Sequence, residues 1–158
     1  MPANKHWPRW IMASISKHFT ANIQGLPLYI EGQHRNSNLP KDQLELRVDG
    51  PYMTEVSRKY WRLYIEVSVL VTSLLDNTNY HRLQTNFGLV ATAFTDIDAY
   101  KLGTGVDDTQ EWFACLQLIQ DDSRRERIQI NNFGIIEASS QLQQGSIEGH
   151  YEAFIREE

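Results

Sequence analysis

Tyr60-Trp61-Arg62-Leu63-Tyr64-Ile65-Glu66-Val67-Ser68-Val69-Leu70-Val71 is the stretch that decides the fold. Trp61, Leu63, Ile65, Val67, Val69 and Val71 form an unbroken apolar row at period two. Tyr60, Arg62, Tyr64, Glu66 and Ser68 form the opposite, amphipathic row. Such alternation predicts a β-strand with one face turned to a core. A slip of one residue would turn the whole apolar row to solvent, so the register is well specified. A strand of this length spans roughly 40 Å. That is long for a small domain, and it argues for an extended antiparallel ribbon or a sheet reaching beyond the core.

Upstream, Leu44, Leu46 and Val48 alternate with Glu45, Arg47 and Asp49, which predicts a half-buried strand. Asp49-Gly50-Pro51 ends it by turn chemistry. Leu28 to Gln33 reads as a shorter strand, and the polar run 34–43 as a long loop. Before both, Ile11, Ile15, Phe19 and Ile23 recur every four residues. This predicts a helix from Arg9, stopped by Gly25-Leu26-Pro27, with residues 1–8 as a short tail. Pro8 suits a first helical turn.

Downstream, Tyr80, Leu83, Phe87, Val90, Ala91 and Phe94 lie on one helical face, with Asp76 or Asn77 to Asn79 placed to cap it. Tyr100 to Glu111 is a second polar loop. Strands follow at Trp112–Ile119, Arg127–Ile136 and Gly145–Ile155. The charged turn Asp121–Arg125 and the polar run Ser139–Gln144 separate them. The order is helix, three strands, helix, three strands. Strands that cluster without intervening helices favour hairpins. The expectation is an α+β fold, a mostly antiparallel sheet of about six strands with two helices packed on it, in a single domain over residues 1–158.

The composition of this 158-residue chain is that of a globular domain: 41% hydrophobic and 22% charged, which excludes disorder as the main state. No run approaches the roughly 18 apolar residues of a spanning helix, so no membrane association is expected. Trp, Pro, Arg and His at the start argue against a secretory leader. Cys115 is the single cysteine, which leaves no intramolecular disulfide and no CxxC site. The net charge of −5 argues against a dedicated nucleic-acid binder. It is unevenly spread. Residues 1–41 carry five basic side chains against Glu31, a balance of +4; the remainder carries ten basic and nineteen acidic, a balance of −9. Such a chain is suited to stacking head-to-tail on copies of itself or to sitting on acidic partners.

Catalytic motifs are missing. Gly103-Thr104-Gly105 lacks the spacing and the lysine of a phosphate loop. The histidines His6, His18, His34, His81 and His150 show no metal-ligand spacing among themselves. His150 alternates with Glu148 and Glu152 on one strand face, a trio that elsewhere serves as base or metal ligand but here reads as a polar row. Cys115 sits in an apolar pattern and reads as an inert buried thiol. The acid pairs Asp107-Asp108 and Asp121-Asp122 lie in loops, where adjacency does not supply two carboxylates converging across a cleft. No enzyme activity, cofactor or metal is expected. The aromatic residues say more. Trp7, Trp10, Tyr60, Tyr64 and Tyr100 fall at element ends or on polar faces, the positions amphipathic aromatics take at protein interfaces.

Four phrases carry a resemblance: Leu26-Pro27-Leu28-Tyr29-Ile30-Glu31-Gly32, Glu45-Leu46-Arg47-Val48-Asp49-Gly50-Pro51, Tyr60 to Val71, and Gln144-Gly145-Ser146-Ile147-Glu148-Gly149-His150-Tyr151-Glu152. With the order of elements over roughly residues 9–155, they make the chain resemble the tail terminator and related neck proteins of tailed bacteriophages. The resemblance implies a virion structural protein, assembled in the host cytoplasm, that forms a hexameric ring. The ring would cap the tail tube and join it to the head connector, and DNA would pass through it without specific binding. Another neck or tail ring (connector, stopper or tube subunit) is the alternative; a small enzyme using His150, or a ligand-binding module, stands behind it. The partner-facing candidates are Trp7 and Trp10 in the tail, Arg35 and Lys41 in the loop 33–43, and Asp107 and Asp108 in the loop 101–111. Both loops are expected to tolerate deletion without loss of the fold.

Overall fold

A computed structural model describes residues 4–31, 42–75, 81–101, 111–120, 127–137 and 141–157. The chain runs α1 (Trp7–Asn22), β1 (Leu28–Ile30), β2 (Gln43–Ser57), β3 (Tyr60–Leu74), α2 (Arg82–Ala91), β4 (Ile97–Lys101), β5 (Glu111–Ile119), β6 (Ile128–Glu137) and β7 (Leu142–Arg156). The class is α+β, as the pattern predicts. The strands form one curled sheet in the order β1-β2-β3-β7-β5-β4, with β6 also paired to β7.

The sheet is mixed rather than mostly antiparallel. β1 runs parallel to β2, Leu28 opposite Leu44 and Ile30 opposite Leu46, while the other pairs are antiparallel. Parallel neighbours need a crossover, and the long stretch between Ile30 and Gln43 provides one where a hairpin was expected. The seventh strand is β4, whose buried Ile97 and Ala99 make too short an alternation to stand out. β2 continues through Gly50-Pro51 to Ser57 instead of ending there. A bulge between Asp49 and Tyr52 absorbs the proline, which an edge strand tolerates because its missing N–H faces away from the ladder. β2 and β3 then close tightly at Arg58-Lys59, with Lys59 at positive φ.

β5 and β6 lie on the same side of β7, end to end. Gln117–Ile119 of β5 pair with Glu152–His150, and Ile128–Glu137 of β6 pair with Gly149–Leu142. The first half of β5 leaves β7 and pairs with β4. This is where the sheet curls.

Both helices cover one face. The β3 row Leu63, Ile65, Val67, Val69 and Val71 is fully buried against them, as is Tyr151 of β7. Helix α1 packs on β4 and β2, and α2 on β3 and β7. The every-four row of α1 begins earlier than predicted, at Trp7, so the helix takes in the last two residues of the expected tail. Phe19 meets Phe94 edge-on at 5.0 Å, and the His18 Nε2–H donates to the Ala93 carbonyl at 2.8 Å, which ties α1 to the turn after α2. The helix expected to run to Phe94 stops at Ala91. Asp42, read as loop, is an anchor: its carboxylate accepts the Leu74 N–H at 3.1 Å and pairs with Arg82. A deletion meant to spare the fold must therefore stop short of Asp42.

Gly145 and Gly149 of β7 are notches for α2 and the turn after it. A Cβ at Gly145 would collide with the Phe87 ring and come within 2.6 Å of the Asn131 carbonyl oxygen; one at Gly149 would lie 2.7 Å from Phe94. The carbonyl belongs to the neighbouring strand and has nowhere to go. Gly145→Ala is expected to destabilise the protein by about 2–3 kcal/mol, read as a lower midpoint in urea unfolding. An unchanged midpoint would show that the helix lifts freely from the sheet.

Candidate functional site

Among the described residues, no helix covers the second face of the sheet. Even-numbered residues of β3 and β7 point there: Arg62, Tyr64, Glu66 and Ser68 stand opposite Phe154, Glu152, His150 and Glu148. The polar row read around His150 is thus real, and the register extends it across two strands. Arg62 Nε donates to Glu152 at 2.6 Å. The Tyr64 hydroxyl and His150 Nδ1 share a hydrogen bond, and their rings stack at 5.6 Å. The Arg62 guanidinium lies 5.3 Å from the Tyr64 ring centre, and Tyr52 of β2 stands 6.2 Å from Tyr64 on the other side. Glu45, Asp49, Glu66, Glu148 and Glu152 share this face with Arg47, Arg62 and Arg156, so its balance is acidic.

Paired side chains brace this surface. Two clefts are formed among the described residues, and the first shares Arg156 with this face. One, of about 360 Å3, is lined by Trp7, Trp10, Trp112, Lys101, Glu111 and Arg156. The other, of about 380 Å3, lies between α1 and β4 and is lined by Ser14, Lys17, His18, Asp96, Asp98 and Tyr100. Among the described residues no group of three side chains is placed to hold a metal ion.

The sequence-predicted partner residues separate. Trp7 is only 4% exposed, its ring edge-on to Trp61 at 6.1 Å, so the surface it docks on is the chain's own sheet. Trp10 is half-buried, edge-on to Phe113 at 5.5 Å and stacked on His6. Arg35, Lys41, Asp107 and Asp108 lie outside the described residues. Cys115 is half-buried, and burial, helped by Asp96 and Asp98, pushes its thiol up, in keeping with an unreactive side chain.

What sequence reasoning missed is apolar. Exposed large hydrophobic residues cluster on two strands: Tyr52, Met53 and Val56 on the far half of β2, and Ile130, Phe133, Ile135 and Ile136 on β6. In β6 the signal was present, since Ile-Gln-Ile-Asn-Asn-Phe-Gly-Ile-Ile carries apolar residues toward both faces, as strands do when buried on both sides. Compared with known protein families and with curated proteins, the sequence matches none.

Tyr151 supplies a pH test of the packing under the second cleft. Its hydroxyl donates to the Thr95 carbonyl at 3.0 Å, and burial, with Asp96 adding, pushes its pKa up. The phenolate forms at about pH 10 in the unfolded chain but only at higher pH in the folded one. The stability is therefore fully present below pH 10 and is lost above it, at up to about 1.4 kcal/mol per pH unit. Tyr151→Phe should cost about 1 kcal/mol at pH 7 and flatten the alkaline decline in a series of urea titrations. Equal slopes for the two proteins would contradict this placement of Tyr151.

Proposed function

We propose that the chain is a structural protein of a tailed-bacteriophage virion, most specifically a tail terminator whose ring caps the tail tube and joins it to the head connector. One observation carries the reading: among the described residues a sheet face is left without a helix, is braced by polar side chains and has an acidic balance. In a ring such a face lines the channel. Carboxylates there repel phosphate, and DNA slides past without being held. The Arg62–Glu152 pair and the Tyr64–His150 contact keep the face stiff. The exposed apolar side chains of β2 and β6 support assembly, because a solitary soluble domain seldom leaves so many on two strands. The role at the joint between head and tail comes from the resemblance in sequence pattern. The same face would serve a connector, stopper or tube ring equally well.

Virions assembled without this protein should yield filled heads and separate tails, counted by electron microscopy. Normal joined tails in its absence would overturn the reading.

A further inference from the structure

The four strands β2, β3, β7 and β6 alternate in direction, each antiparallel to the next. The sheet therefore has two open edges that run oppositely. Beyond Leu46, where β1 ends its pairing, the outer edge of β2 meets no strand among the described residues, and neither does the outer edge of β6. Unpaired edges of this kind are templates for another chain. A copy related by rotation about an axis along the strands presents its β2 antiparallel to β6, which continues the alternation.

The two edges also fit in detail. Each carries two extra residues: β2 one between Asp49 and Tyr52 and one between Glu55 and Ser57, β6 one between Asn132 and Gly134 and one between Ile135 and Glu137. We propose that β6 of one copy pairs with β2 of the next, with Asp49 opposite Gly134, Tyr52 opposite Asn131 and Thr54 opposite Gln129. This rests on the ring reading above for the closure of successive copies into a ring. In this register the bulge at Gly50-Pro51 faces the bulge at Asn132–Gly134, so these two bends coincide, while the second bulge of each strand lies toward opposite ends of the pairing. The face parity also agrees on both sides of the bulges. Val48 meets Ile135 and Met53 meets Ile130 on the helix side, while Asp49, Tyr52 and Thr54 meet Gly134, Asn131 and Gln129 on the polar side. The contact is heterologous, as a ring requires. Self-pairing of β6 would cover one edge only and leave Tyr52, Met53 and Val56 open.

Two charge insertions separate the cases. Met53→Lys spoils the β2 edge and Ile130→Lys the β6 edge; both sites are exposed, and thermal unfolding checks that each variant still folds. Analytical ultracentrifugation at high concentration should show multimers beyond the dimer for the parent protein and monomers for each variant. A mixture of the variants should give dimers and nothing larger, because each retains the edge the other lacks. On a Cys115→Ser background, Thr54→Cys mixed with Gln129→Cys should give a disulfide-linked pair that neither gives alone. A parent protein that stays monomeric and forms no such link would overturn the proposal. So would a Met53→Lys protein that still dimerises, the mark of β6 self-pairing. Electron microscopy separates the two claims. Rings that survive in the lysine variants overturn the edge pairing but leave the ring reading intact. Open filaments joined through the cysteine pair overturn the ring and leave the edge pairing.

Discussion

In the centre of the sheet, β3 and β7 are paired without a shift from Tyr60 opposite Arg156 to Leu74 opposite Leu142. The place of every other element depends on that register. It brings Val67 and Val69 onto the same face as Ile147 and Gly149, where both helices can cover them. By the same parity it puts Arg62 within reach of Glu152 and Tyr64 beside His150 on the bare face. A shift of one residue would interchange the two faces and leave the buried row in water. The glycines enforce the same register from the helix side. Phe87 sits over Gly145 and Phe94 over Gly149, and a bulkier strand residue at either position would meet a ring.

The two uncovered parts of the sheet differ in their energetic stakes. The Arg62–Glu152 pair is partly solvated, and such pairs contribute about 1 kcal/mol or less. The bare face is thus shaped more for charge and rigidity than for stability. An aliphatic or aromatic side chain taken fully out of water contributes about 1.5–3 kcal/mol. The edge strands expose several such residues, among them Ile130 at 51%, Phe133 at 56% and Tyr52 at 54%. Burying part of that surface would contribute more than the Arg62–Glu152 pair does.

Long elements with strict periodicity were legible in the sequence. The β3 row, the α1 and α2 faces and the Glu148–His150–Glu152 row stand where period two and period four put them. What failed was local punctuation read as termination. Gly50-Pro51 carries full turn chemistry, yet the strand runs on, because an edge position asks no hydrogen bond of the proline on its outer side. Trp7 was assigned to a tail by the prolines around it, although it extends the row Ile11, Ile15, Phe19 by one step and is buried with it. The direction of β1 could not be read, since an alternating segment pairs either way and only the connection decides. The apolar edges were missed for a related reason. A strand that is apolar toward both sides reads as interior, and nothing local in β6 shows that its outer edge meets no strand among the described residues.

The central pairing joins partners far apart in the chain; Arg62 and Glu152 are ninety residues from each other. The β2–β3 hairpin, by contrast, needs only a two-residue connection at Arg58-Lys59 and can close as soon as it is made. During synthesis it must then wait, at about 5–20 residues per second, for β7 to emerge. Until then the inner edge of β3 lacks the strand it pairs with in the folded sheet. Neighbouring ribosomes on one message would hold such hairpins close together. Folding of this protein is therefore a race between a late-arriving strand and an early-exposed one.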